Sequence, residues 1–125
     1  MSDTPSPITL EIDSDKIAWL TFDLPNSKVN LLNSDVMGLL NRRVAELESR
    51  IATGHPIAIV IQSGKPGTFI AGADVSEISA ILDPKVGRSK SAEGQRILRR
   101  LDRLTVPTIA AVDGTCLGGG TELAL

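Results

Sequence analysis

The segments ITLEID (8–13) and KIAWLTFD (16–23) alternate or run apolar and β-branched on either side of the polar break Asp13–Lys16. That pattern predicts a two-stranded hairpin. A turn-rich link, LPNSKVNLLNS, follows, and Asn33 or Ser34 stands where it can cap a helix whose first turn carries Asp35. Val36, Met37, Leu40, Val44, Leu47 and Ile51 recur at three- and four-residue spacing, which places them on one helical face. Gly54 and Pro56 end that helix. IAIVIQSG (57–64) is a continuous apolar run, too short for a long helix, and reads as a strand buried on both faces.

Beyond the loop KPGTFIAGAD (65–74) a short helical piece is expected over Val75–Leu82, and Asp83-Pro84 has the cap-then-proline order of another helix start. Ile97, Leu98, Leu101 and Leu104 give that helix a buried stripe, its arginines face outward, and VPTIAAVDG (106–114) reads as a second buried strand. Strand, helix and strand without hairpin spacing imply a parallel pair joined by a crossover, hence an α/β fold. The loops after the two strands, SGKPGTFIAGAD and DGTCLGGG, then open on the same carboxyl rim, where open α/β sheets usually bind ligands. Residues 1–7 are polar, carry two prolines, and read as a flexible leader.

Composition removes several function classes. The 125 residues, 42% of them hydrophobic, are enough for one core, and the net charge of −2, with the 13 Lys/Arg spread along the chain apart from a modest cluster at 96–103, gives nucleic-acid binding little support. Trp19, Phe22 and Phe69 are the only aromatics, too few for a base-stacking surface. Cys116 is the single cysteine, so an intramolecular disulfide and a paired-cysteine metal site are both excluded. The sequence has neither a secretory-type leader nor an apolar run of membrane-spanning length, and the expected location is the cytoplasm.

The chemistry concentrates in the two loops. GGGTELAL (118–125) reads as a helix entry in which bare glycine backbone can approach a ligand and free N–H groups face it. AGAD (71–74) offers a second donor across the cleft, and two convergent backbone N–H groups make an oxyanion hole suited to enolate chemistry. Phosphate cradling fits less well: Gly120 stands where a Walker loop needs lysine, and Leu123 where a dinucleotide loop needs its last glycine.

SGKPGTFIAGADVSEI together with PTIAAVDGTCLGGGTELAL closely resembles the enoyl-CoA hydratase/isomerase (crotonase) family. PNSKVNLLNS and GTCLGGG are most similar to the hydratase part of the multifunctional fatty-acid β-oxidation enzymes. The resemblance runs from about Ile8 to Leu125. It implies the N-terminal portion of a crotonase-like repeated ββα spiral, with residues 8–125 an incomplete hydratase/isomerase domain. It also implies oxyanion donors at the N–H groups of Ala73 and Gly119. Ala71, Gly72, Ala73, Val75, Gly118 and Gly119 then line the acyl-CoA path. Glu122 matches one of two catalytic glutamates that add water across the 2,3 double bond of an enoyl-CoA; the second is absent here, so this stretch alone is expected to be inactive. Hydration needs no cofactor, coenzyme A being part of the substrate, and NAD would matter only to a dehydrogenase part of a longer chain. A homo-oligomer or a thiolase subunit is the implied partner. Isomerase or thioester-hydrolase activity within the family, or binding of an acyl-CoA or a partner subunit without turnover, stay open.

Other residues have plainer readings. Asp74 is expected to cap the short helix, His55 to sit solvated in a turn, and Cys116 to be an inert, half-buried thiol. Glu122 on its own would also suit a helix's first turn, and the three glycines close packing. Arg96, Arg99, Arg100 and Arg103 form a solvated face, one of which could reach the 3′-phosphate of coenzyme A.

Overall fold

The computed structural model describes residues 6–72 and 80–124, with backbone alone at 119, 121 and 122. Chain order is β1 (Ile8–Ile12), β2 (Ile17–Phe22), α1 (Ser34–Ile51), β3 (Ala58–Ser63), β4 (Thr68–Ile70), α2 (Pro84–Asp102), β5 (Thr108–Ala110), β6 (Thr115–Cys116) and α3 (Gly119–Ala124). The hairpin forms as expected, β1 and β2 pairing antiparallel with Ile8 opposite Phe22. Asp13 closes its turn: Oδ1 accepts from the N–H groups of Asp15 and Ile17, and Oδ2 from the Trp19 indole. The indole bond, then the backbone bonds, hold that carboxyl below its ordinary pKa. Residues 1–5 of the leader lie outside the described residues, whereas Pro7 O accepts from Asp23 N and Ser6 Oγ donates to Ile8 O.

Asn33, not Ser34, caps α1, its side-chain oxygen accepting from Val36 N at 2.8 Å. Val36, Leu40, Val44 and Leu47 are buried against the sheet. Burying such a side chain fully is worth about 1.5–3 kcal/mol, so this stripe is what fixes the helix in place. Asp83 caps α2 with Pro84 at its first turn; Ile97 and Leu101 are buried, Leu98 and Leu104 are partly so, and Leu104 lies past the helix end. Of the expected short helix, residues 75–79 lie outside the described residues and Ala80–Leu82 are not helical.

The main sheet has the order β1-β2-β3-β5. β3 and β5 are parallel, as the crossover pattern predicts, and β2 also runs parallel to β3, from Ile17 opposite Ala58 to Phe22 opposite Ser63. Thus α1 is itself a crossover. Two expectations need correction. β3 buries Ile59 and Ile61 on one face but leaves Val60 half-buried, so it is packed closely on one side only. β5 is three residues long at the sheet's edge, and Ile109 is 57% exposed, so it is not a buried strand. An apolar run cannot by itself distinguish an edge strand from a central one.

The larger surprise is a second sheet. β4 and β6, one from each glycine-bearing loop, pair parallel with Thr68 opposite Thr115. Thr68 is buried there and its hydroxyl meets no hydrogen-bond partner among the described residues. Thr68→Val keeps the β-branched shape and removes that hydroxyl, whose burial unsatisfied costs ~1–3 kcal/mol. A rise in stability of about 1 kcal/mol is expected, seen as a higher denaturant midpoint.

Candidate functional site

Both strands β3 and β5 release the chain at their carboxyl ends, and β4–β6 pairing clamps the two emerging loops together. Two further backbone contacts tighten the clamp, and a third turns the second loop into α3. Thr115 N donates to Gly67 O at 3.3 Å, Leu117 N to Ile70 O at 3.0 Å, and Gly120 N to Leu117 O at 2.8 Å. At Gly114, with φ +82°, a Cβ would lie 2.0 Å from Gly67 O; at Gly120 it would lie 2.4 Å from Ile70 O. Only glycine permits either approach. The first turn of α3 therefore rests directly on β4.

The strand β4 leads into Ala71 and Gly72, which are tied to the link before α1. Ala71 N donates to Asn30 O at 2.9 Å, Leu32 N donates to Gly72 O at 2.8 Å, and Leu31 forms a parallel bridge with Gly72. Across the cleft Gly118 comes up against this segment, since a Cβ on it would lie 3.8 Å from Gly72 Cα. Of the sequence-derived site residues, then, Ala71, Gly72 and Gly118 are brought together. Gly119 opens α3, and the first N–H groups of any helix lack acceptors within it. Glu122 lies in the same helix, one position before Leu123, which is buried in the core. The Glu122 side chain, Ala73, Asp74 and Val75 lie outside the described residues.

Sequence reasoning missed the polar support beneath these loops. Asn30 is 1% exposed, and its amide reaches Leu24 N, Ser63 Oγ and Phe69 O. Lys65 Nζ donates to Asp23 Oδ1, Leu24 O and Ser27 O, each at 2.8 Å. The only signal in the sequence is a polar residue inside the apolar stretch VNLL.

The arginines sit elsewhere. α1 and α2 end where β3 and β5 begin, so Arg100 and Arg103 lie toward the amino edge of the sheet, whereas Arg99 also lines a cavity with Ala110, Leu123 and Ala124. At that edge Arg100 pairs with Glu48 and Asn41, Arg96 pairs with Glu93, and a cavity of about 730 Å³ opens between the two helix ends. This placement pairs Arg96 and Arg100 with carboxylates at the helix ends, away from the two glycine loops. Combined Arg96→Ala, Arg100→Ala and Arg103→Ala substitution is expected to leave KM for an acyl-CoA unchanged. Its cost in stability should be no more than about 1 kcal/mol per exposed pair, read by thermal melting. His55 is exposed and Cys116 half-buried, as expected. Among the described residues no group of His, Cys, Asp or Glu is arranged to hold a metal, and no helix is long and apolar enough to cross a membrane.

Comparison with known proteins places these loops in context. The pattern of the enoyl-CoA hydratase/isomerase family matches residues 13–125. The fatty acid oxidation complex subunit alpha of Aliivibrio fischeri is 42% identical over 113 residues, covering 90% of this chain. Its counterpart in Vibrio campbellii is 38% identical over 117 residues, covering 94%. The chain spans 16% of the length of each of these relatives. The solved enoyl-CoA hydratase of Bacillus anthracis superposes with a TM-score of 0.84 at 20% identity, over 95% of this chain and 44% of that one, a likeness of fold.

Proposed function

The chain belongs to the enoyl-CoA hydratase/isomerase family, and from that premise we propose that it supplies the oxyanion half of a hydratase site acting in fatty-acid β-oxidation. The observation that carries this reading is the clamp itself: β4–β6 pairing and the Gly120–Ile70 contact hold the entry of α3 against the strand leading to Ala71–Gly72. In the proposed site the N–H groups of Ala73 and Gly119 converge on the thioester oxygen of an acyl-CoA. Ala71, Gly72, Val75 and Gly118 line its path.

Addition of water forms a bond from the water oxygen to C3 while the electrons of the 2,3 double bond move toward the thioester, leaving an enolate. Two backbone donors stabilise that charge, and losing one such donor typically costs about 2.7–4 kcal/mol of barrier. The enolate then takes a proton at C2, with the water's second proton removed, so that H and OH have been added overall. Glu122 and a second acid outside this stretch hold the water and handle those protons. The 125 residues alone hold one of the two acids and are proposed to be inactive. Hydration draws on no cofactor, coenzyme A arriving with the substrate; NAD enters only through a dehydrogenase part of a longer chain. A cytoplasmic location and assembly with a second copy or a thiolase subunit complete the proposal.

The test offers the natural-length protein a trans-2-enoyl-CoA and, separately, a 3-enoyl-CoA. Loss of the conjugated thioester's absorbance with the first is the expected result. Conversion of the second alone would move the assignment to 3,2-enoyl-CoA isomerase, and binding without turnover of either to a non-catalytic acyl-CoA module.

A further inference from the structure

We propose that Asn30 is a positioning residue for the oxyanion loop, an inference that rests on the hydratase/isomerase reading above. Its side-chain amide uses its carbonyl and both N–H bonds. Oδ1 accepts from Leu24 N at 3.0 Å, and Nδ2 donates to Ser63 Oγ and to Phe69 O, each at 2.8 Å. Its main-chain oxygen takes the N–H of Ala71. One buried residue therefore joins the link before α1, the end of β3, and both β4 and the residue after it.

The geometry sets the path of β4 through Ala71 and Gly72, the last described residues before Ala73, whose N–H is the donor proposed above. A buried amide with all its bonds made has one arrangement, whereas a partly satisfied one leaves its partners to find others. Lys65 reinforces the same joint from outside. Its three donors are spent on Asp23, Leu24 and Ser27, and its side chain is 13% exposed. That leaves Lys65 as a brace for the link and not a ligand for substrate phosphate.

Asn30→Asp in the natural-length protein tests this. The carboxylate keeps an acceptor for Leu24 N but loses both donors and faces the oxygens of Phe69 and Ser63. A misplacement on the order of 1 Å can cost about a hundredfold in rate, so kcat for enoyl-CoA turnover is expected to fall about ten- to hundredfold with KM little changed. That split marks an interaction realised in the transition state. The thioester carbonyl stretch of a bound saturated acyl-CoA should move back toward its value in water.

A variant of lower melting temperature with unaltered kcat and carbonyl stretch would show a structural role only and overturn the proposal. Should Asn30→Asp fail to fold, Ser63→Ala removes one of the two acceptors: a smaller, kcat-selective fall supports the proposal, and an unchanged kcat overturns it. If the wild-type protein turns over no enoyl-CoA, the functional reading fails, and the carbonyl stretch alone decides the role of Asn30. If it binds no acyl-CoA, both are overturned.

Discussion

Glu122→Gln in the natural-length protein is expected to lower kcat for enoyl-CoA hydration by about 10²–10⁴-fold, the usual worth of a positioned general acid or base. The amide has nearly the shape of the carboxylate and can still hydrogen-bond a water, but it cannot take up a proton. Binding should therefore survive, with Kd for a saturated acyl-CoA unchanged in a titration. The fold should survive too. Glu122 belongs to the six-residue helix α3, and losing a charge near a helix N-terminus costs only about 0.3–1 kcal/mol. A Glu122 that merely complements the helix dipole would give the same small loss of stability with kcat intact. Rate and melting temperature together separate the two roles.

Gly120→Ala should damage the same site from the packing side. An added Cβ would stand 2.4 Å from Ile70 O and 2.8 Å from Ile70 Cβ. Neither neighbour can turn away, because Ile70 O already accepts from Leu117 N, and Ile70 is completely buried. Helix α3 or strand β4 must shift, at a cost of about 1–3 kcal/mol for over-packing. The shift also separates the two walls of the site, so acyl-CoA binding should weaken along with stability. Gly38→Ala is the control. Gly38 lies inside α1 with nothing within 4 Å of its added Cβ, so alanine should stabilise by about 0.5–1 kcal/mol. Opposite shifts in the denaturant midpoint of the two variants are the expected outcome.

These contrasts show which layers of the molecule were legible in its sequence. Local grammar was: the 3.6-residue stripe from Val36 to Leu47, the Asp83-Pro84 start and the Ile8–Phe22 hairpin all appear where the pattern puts them. Each depends on neighbours within a few positions. β4 and β6, three and two residues long, are too short to show any alternation, so the small sheet that joins the loops was invisible. Asn30 and Lys65 were missed for a related reason. Their partners lie up to 39 and 42 positions away, and a buried polar residue reveals itself only through such partners. The crowding at Gly114 and Gly120 is likewise a property of chain crossings, although the glycines themselves marked the place.

The central claim is that two backbone N–H groups, one from each clamped loop, polarise an acyl-CoA thioester. The most direct measurement is the infrared carbonyl stretch of a saturated acyl-CoA, isotope-labelled at the thioester carbon and bound to the natural-length protein. A shift to lower frequency than in water, weakened in Gly120→Ala, is the predicted result. A bound ligand whose carbonyl stretch stays at its value in water would contradict the oxyanion hole and the hydratase mechanism built on it.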